Sequence, residues 1–259
     1  MKPNFSGIYS IAKSTFLETI RDRILYTIFI ASLFIIGFSY VASRLTYAYP
    51  ERIALHFGLT SIEFCIIGIS IFVGVSLITK EVEKRSILTI ISKPIQRGEF
   101  LVAKFLGLSS IIFLAEIAMG VLLALILNAF SFELKPIFIQ CLLLQALEGL
   151  LILAITIFFS SFSGKYLASV FAFSFYLAGN SSEAFSILRD KMENPLIKLL
   201  LDYLRDLIPN LNRLNLKNLV LYEKSIPIEL FATQLTYGFL YTCAVLFISC
   251  ALFSKRDFS

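Results

Sequence analysis

Long windows with almost no charge return along this chain, and a window of about 20 such residues crosses roughly 30 Å of hydrocarbon as a helix. Six are read from the sequence, at 24–43, 59–79, 105–128, 137–160, 166–180 and 231–253. The fifth is the weakest, because its purely apolar part is short and runs into Asn180, Ser181, Ser182 and Glu183. Hydrophobic residues make up 58% of the 259 and charged residues only 16%, against about 25% charged in a soluble domain. A soluble core of this size cannot absorb that surplus. Backbone groups in lipid must pair within the chain, and sustained runs without strict alternation select helices over a barrel. The expected fold class is all-α: a polytopic membrane protein of six transmembrane helices, forming one transmembrane domain over residues 1–259.

Orientation follows from Lys and Arg in the connections. The N-terminal segment carries Lys2, Lys13, Arg21 and Arg23, and the 80–104 loop carries Lys80, Lys84, Arg85, Lys93, Arg97 and Lys104. Lys165, Lys255 and Arg256 fall on the same side, whereas the opposite short connections hold Arg44, Arg52 and Lys135. The richer side is expected to be cytoplasmic, with both termini inside. The net charge of +5 is accounted for by this topology, and no nucleic-acid partner is expected. The start does not read as a cleavable signal, since residues 1–23 mix apolar and charged positions. Over 7–22, Ile8, Ile11, Ala12, Thr15 or Phe16, and Thr19 share one side at 3–4 spacing. That pattern predicts an amphipathic helix lying in the membrane interface before the first span, the alternative being a short soluble lead-in.

The loop 181–230 is too long for a simple connector. Phe185, Leu188, Met192, Leu196, Leu200, Leu204 and Leu207 keep helical periodicity, interrupted by Pro195 and Pro209. One or two amphipathic helices over the outer mouth are expected, followed by a turn-rich segment, "PNLNRLNLKN", at 209–218.

The segment "EVEKRSILTIISKPIQRGEFLVAK", 81–104, is a dense polar insert between two apolar spans. Val82, Ile87 with Leu88, and Ile90 with Ile91 alternate with Glu81, Glu83, Lys84, Arg85 and Lys93, giving an apolar edge and a charged face. Pro94 disfavours helix at Lys93 and removes a donor, so a break is expected near Ser92. Gly98 allows a second break, and Glu99 suits the N-terminus of the next helix. Topology alone needs a few basic residues in any order. It does not need an amphipathic stretch with interleaved acids and a proline stop, so a docking helix for a cytoplasmic partner is the functional reading.

These residues carry a family likeness. "KEVEKRSILTIISKPIQRGEFLVAKFLG" (80–107) resembles the cytoplasmic loop of ABC-2 type transporter permeases, most closely the NosY-like group. "RDRILYTIFIASLF" looks like their first span. "PNLNRLNLKN", the last apolar span and "SKRDF" look like their C-terminal third. The resemblance implies an ABC-2, type V exporter-like arrangement in the bacterial inner membrane. It implies a homodimer that binds two ABC ATPase subunits, with ATP and Mg in the partner and no cofactor in this chain. It further implies that 81–93 is the coupling helix seated on the ATPase, with the N-terminal helix as second contact. The loop-opening acid falls at Glu81, the Lys-Pro turn at Lys93-Pro94, and later basic positions at Arg97 and Lys104.

The chain shows no GxxxxGK[ST] phosphate cradle, and His56 is its one histidine, placed by the sequence in an outer loop; HExxH is therefore absent, as is any Ser-His or Cys-His pair inside the membrane. Enzymatic activity is not expected. Cys65, Cys141, Cys243 and Cys250 all lie in apolar spans without CxxC spacing and read as small helix- or lipid-facing residues. Glu63, Glu116 and Glu148 fall in spans two to four, with Glu63 read near the outer end. Intramembrane acids usually face the bundle interior or a wet cavity, so the three are candidates for a polar translocation path, or alternatively for interhelical hydrogen bonds. A glycine stripe, Gly68, Gly74, Gly107 and Gly120, suits close helix packing. Together these readings favour an ATP-driven permease, in the export direction. The alternative is a non-transporting scaffold that an ATPase drives and that signals to a periplasmic partner through 181–230.

Overall fold

In the computed structural model, residues 5–45, 49–83, 97–130, 132–192, 194–222 and 226–255 are described. Among them every regular element is helical. Helix α1 (Phe5–Ile20) leads into α2 (Arg23–Arg44). Helix α3 (Pro50–Gly68) passes through a π-helical turn at Ile69–Val73 into α4 (Gly74–Glu83). Then come α5 (Arg97–Ala129), α6 (Pro136–Ser160), α7 (Lys165–Asn180), α8 (Ser182–Lys191) and α9 (Pro195–Leu207). A 3₁₀ turn at Leu211–Arg213 and the short α10 (Lys217–Leu221) precede the last helix, α11 (Ile228–Lys255).

Among the described residues five helices are long and apolar enough to cross a membrane: Arg23–Arg44, Pro50–Leu77, Gly98–Ala129, Pro136–Ser160 and Ile228–Phe253. The expected fifth span is also a helix, α7, but its 16 residues rise only about 24 Å. The second span starts earlier than its hydropathy suggests. Pro50, with its fixed φ and missing N–H, suits the first helical turn, and the helix runs on through His56. His56 therefore lies in α3, not in a loop.

The core gathers on α3, α5 and α6. Leu59, Ile62, Ile66, Ile112, Met119, Leu151 and Ile152 are at most 1% exposed. Around this core the outward faces stay apolar: Ile30, Phe34 and Phe38 on α2, Ile117, Val121 and Leu125 on α5, and Phe239, Leu240 and Phe247 on α11 are all exposed. Apolar surface of that extent is what a hydrocarbon solvent requires, not water. At the far end of the bundle, α8 and α9 form a hairpin clipped by Arg189 Nε to Asp202, at 2.8 Å.

Helix α1 packs along α5. The face expected from its 3–4 spacing is the face that turns inward: Thr15 and Thr19 are buried, and Ile8, Ile11, Ala12 and Phe16 are half-buried. A buried ammonium ties the pair, Lys104 Nζ lying 3.6 Å from Glu18 Oε2. Between α1 and α2, Asp22 accepts a hydrogen bond from the Ile24 amide at 2.9 Å and caps α2. Asp22→Ala should lower stability by about 1 kcal/mol, read as a small downward shift of the melting temperature in lipid nanodiscs.

Candidate functional site

The three acids of the spans lie at one depth. Glu63 is thirteen residues after Pro50, Glu148 twelve after Pro136 and Glu116 thirteen before Ala129, so each sits about 18–20 Å inside its helix from the far end. Side-chain packing confirms the register. On the far side of this layer Gly58 faces Leu123, and on the near side Gly149 faces Ile66 and Ile112. All three acids are buried, at 6% exposure or less. Glu63 is therefore mid-helix and enclosed, not near an outer end.

Glu63 is fully partnered. The Tyr176 hydroxyl of α7 donates to its Oε1 at 2.9 Å, and the Lys217 ammonium of α10 pairs with its Oε2. Burial pushes the Lys217 ammonium down to about 8, while the touching carboxylate favours its charged form. The contact is a buried salt bridge.

Lys217 reaches this depth because residues 209–221 turn back into the bundle. Leu211, Leu214, Leu216 and Val220 are buried, each stabilising the seat by about 1.5–3 kcal/mol as apolar burial. Leu211 and the Pro209 carbonyl abut Gly179 of α7, and Leu214 abuts Gly238 of α11. The Tyr237 hydroxyl accepts from the Asn210 amide at 2.9 Å, and the Tyr241 hydroxyl donates to the Leu207 carbonyl at 2.6 Å. The turn-rich character of "PNLNRLNLKN" was legible; that it enters the bundle and supplies a counter-ion was not.

Glu116 and Glu148 lack such a partner. Among the described residues, both oxygens of Glu116 and Oε1 of Glu148 are buried with no hydrogen bond. The Asn180 side chain at the end of α7 comes within hydrogen-bonding reach of Glu148. On α6, Cys141, Gln145 and Glu148 share a face. Gln145 Nε2 donates to the Leu59 carbonyl at 2.9 Å, and its Oε1 is unpartnered.

A crevice of about 200 Å³ opens between α2, α3 and α7. Ile28, Phe64, Ile67, Phe72 and Phe173 make it apolar, and Glu63, Tyr176 and Thr60 give it a polar end. The π-helical turn contributes Ile71 and Phe72 to its wall. A π turn opens the backbone ladder, and here Ser70 donates to the Gly149 carbonyl at 2.9 Å and fixes α3 on α6.

Of the expected docking residues, Glu81 and Glu83 belong to the last turn of α4, and Arg97 is the first residue of α5. Lys84, Arg85, Ile87, Lys93 and Pro94 lie outside the described residues. Among the described residues no cluster of His, Cys, Asp and Glu could hold a metal ion.

Five long apolar helices around a buried polar layer define a multi-pass helical membrane protein. The family model of ABC-2 family transporter proteins matches residues 16–180, from within α1 to the end of α7, and the chain belongs to that family. It is thus the membrane permease component of an ABC transporter, a component that works with an ABC ATPase. No curated protein matches the chain.

Proposed function

We propose that this permease is an exporter in which a separate ATPase moves α4 and α5 through the charged segment 81–104. The observation that carries the reading is continuity. That segment joins α4 and α5 directly, and both helices run from it into the bundle core, where α4 packs on α6 and α5 on α3 and α6. Force applied at the segment reaches the layer of acids through rigid helices, with no loop between. An ATPase that closes on ATP can shift the permease only by binding one of its states better than the other. Glu81, Glu83, Lys84, Arg85, Ile87, Lys93, Pro94 and Arg97 form the contact, and α1, locked to α5 by Lys104 and Glu18, adds a second lever.

In this reading α7 crosses as a sixth, short span. Its outward Tyr166, Leu167, Val170, Phe173 and Leu177 are exposed and apolar, as a lipid-facing helix requires. Six spans place both termini on the cytoplasmic side of the inner membrane, in agreement with the basic residues of 80–104. Two copies assemble, each with its own ATPase. The path follows the crevice between α2, α3 and α7 with Glu63 at its polar end, while Glu116 and Glu148 stand enclosed behind it.

The test is Glu81→Ala with Arg85→Ala in one chain. The variant should insert normally and lose at least about tenfold in ATPase co-purification, the scale of a 1.4 kcal/mol loss of contact. Undiminished recovery would count against docking here. A signalling scaffold is the second reading, favoured by the exposed apolar face of α9: Leu196, Leu199, Tyr203 and Leu207. ATP hydrolysis in proteoliposomes that rises with added cargo separates the permease from the scaffold.

A further inference from the structure

We propose that Glu116 and Glu148 form a proton-binding centre inside the bundle, holding at least one proton between them at neutral pH. The inference rests on the chemistry of this layer and stands apart from the export reading. Among the described residues the layer has more acceptors than donors: the Asn180 amide reaches Glu148, and the other acceptors have nothing. Glu116 Oε1 and Oε2, Glu148 Oε1 and Gln145 Oε1 are all buried and unpartnered. Gln145 makes the shortage independent of the two acids. Its amide nitrogen is committed to the Leu59 carbonyl, which can only accept, and its oxygen is left without a donor. An ionised carboxylate offers acceptors alone, whereas a protonated one supplies an O–H donor.

Among the described residues, the surrounding elements bring the Asn180 amide to Glu148 but no cation that is not already paired. From α3 come Cys65 and Glu63, and from α6 Cys141. From α7 come Asn180 and Tyr176, whose hydroxyl is given to Glu63. The cation of this layer, Lys217 of α10, is on Glu63 as well. On α2, Ser32 donates to the Ile28 carbonyl. The α11 hydroxyls of Tyr237 and Tyr241 are engaged with residues 207–210. Helix α1 brings Glu18 to Lys104, lower on α5. Two like charges in such a layer would stand unpaired at the bundle centre, a placement that is costly. A metal or sodium ion suits the layer less well. Such sites in membrane helices draw on unwound backbone carbonyls, and α5 and α6 run unbroken through this depth.

The test is infrared spectroscopy on the full chain in lipid nanodiscs, with ¹³C at the glutamate carboxyl carbons. The expected spectrum at neutral pH contains the carbonyl stretch of a protonated acid, shifted by the label and slow to respond to D₂O. Glu116→Gln or Glu148→Gln should weaken that band, and the double variant should remove it. Glu63→Gln with Lys217→Met should leave it in place, because Glu63 has its own partners in Tyr176 and Lys217. If the double variant does not fold, the wild-type spectrum decides alone. Carboxylate stretches only, a band lost on adding sodium, or a band that survives in the folded double variant would each overturn the proposal.

Discussion

Lys217→Ala should cost the folded permease about 3–5 kcal/mol, the penalty for removing one partner of a buried ion pair. The effect comes less from the bond lost than from the charge left behind. Glu63 is 6% exposed, and without Lys217 its carboxylate keeps only the Tyr176 hydroxyl. The double variant Glu63→Gln with Lys217→Met should recover most of the loss, because no charge then remains buried and the Met side chain fills the lysine's apolar stem volume. Thermal unfolding in nanodiscs can be followed with a thiol-reactive dye, since Cys65 and Cys141 are free and buried until the bundle opens. A single variant that melts with the wild type, or a double variant as unstable as the single, would show that the pair does not hold the 209–221 segment in place.

Gly107→Leu should strip α1 from α5. A methyl carbon built on Gly107 stands 2.7 Å from the Ala12 carbonyl oxygen and from Thr15 Cβ. The first of these is backbone and cannot rotate away, so the two helices must separate. Overpacking of this kind costs about 1–3 kcal/mol, and Leu adds bulk beyond the methyl. Separation also draws Glu18 away from Lys104, 4% exposed on its side chain, and leaves that ammonium buried. The expected results are a lower melting temperature and faster proteolysis within residues 5–20. Gly37→Leu is the control, since nothing lies within 4 Å of a carbon built there. Equal stability of the two variants would remove the close α1–α5 contact from the account.

Hydropathy located the helices well, because the cost of exposing polar backbone to lipid forces each apolar run into one element. Its failure at Glu63 is instructive. The window 59–79 excludes Glu51, Arg52 and His56, so hydropathy starts the span near Leu59 and sets the acid near its mouth. The helix actually starts at Pro50, and the nine added residues carry Glu63 to the middle. Periodicity marked an apolar side on α1, since a 3–4 repeat specifies that side whatever covers it; in the 181–230 segment the stripe residues Leu188, Leu196 and Leu207 are exposed. It could not say that α1 is covered by α5.

The pairing of acids with cations lay beyond any local pattern. Glu63, Glu116 and Glu148 look alike in sequence: one carboxylate each in an apolar run. Local composition dictated that these runs become helices, that charge gathers in the segment between α4 and α5, and that three acids are carried into a bundle. Which acid meets Lys217, and which two are left without a cation, depended on how a distant return segment threads between α3, α6, α7 and α11. That choice is made by shape and packing across the bundle, at contacts no window along one helix contains.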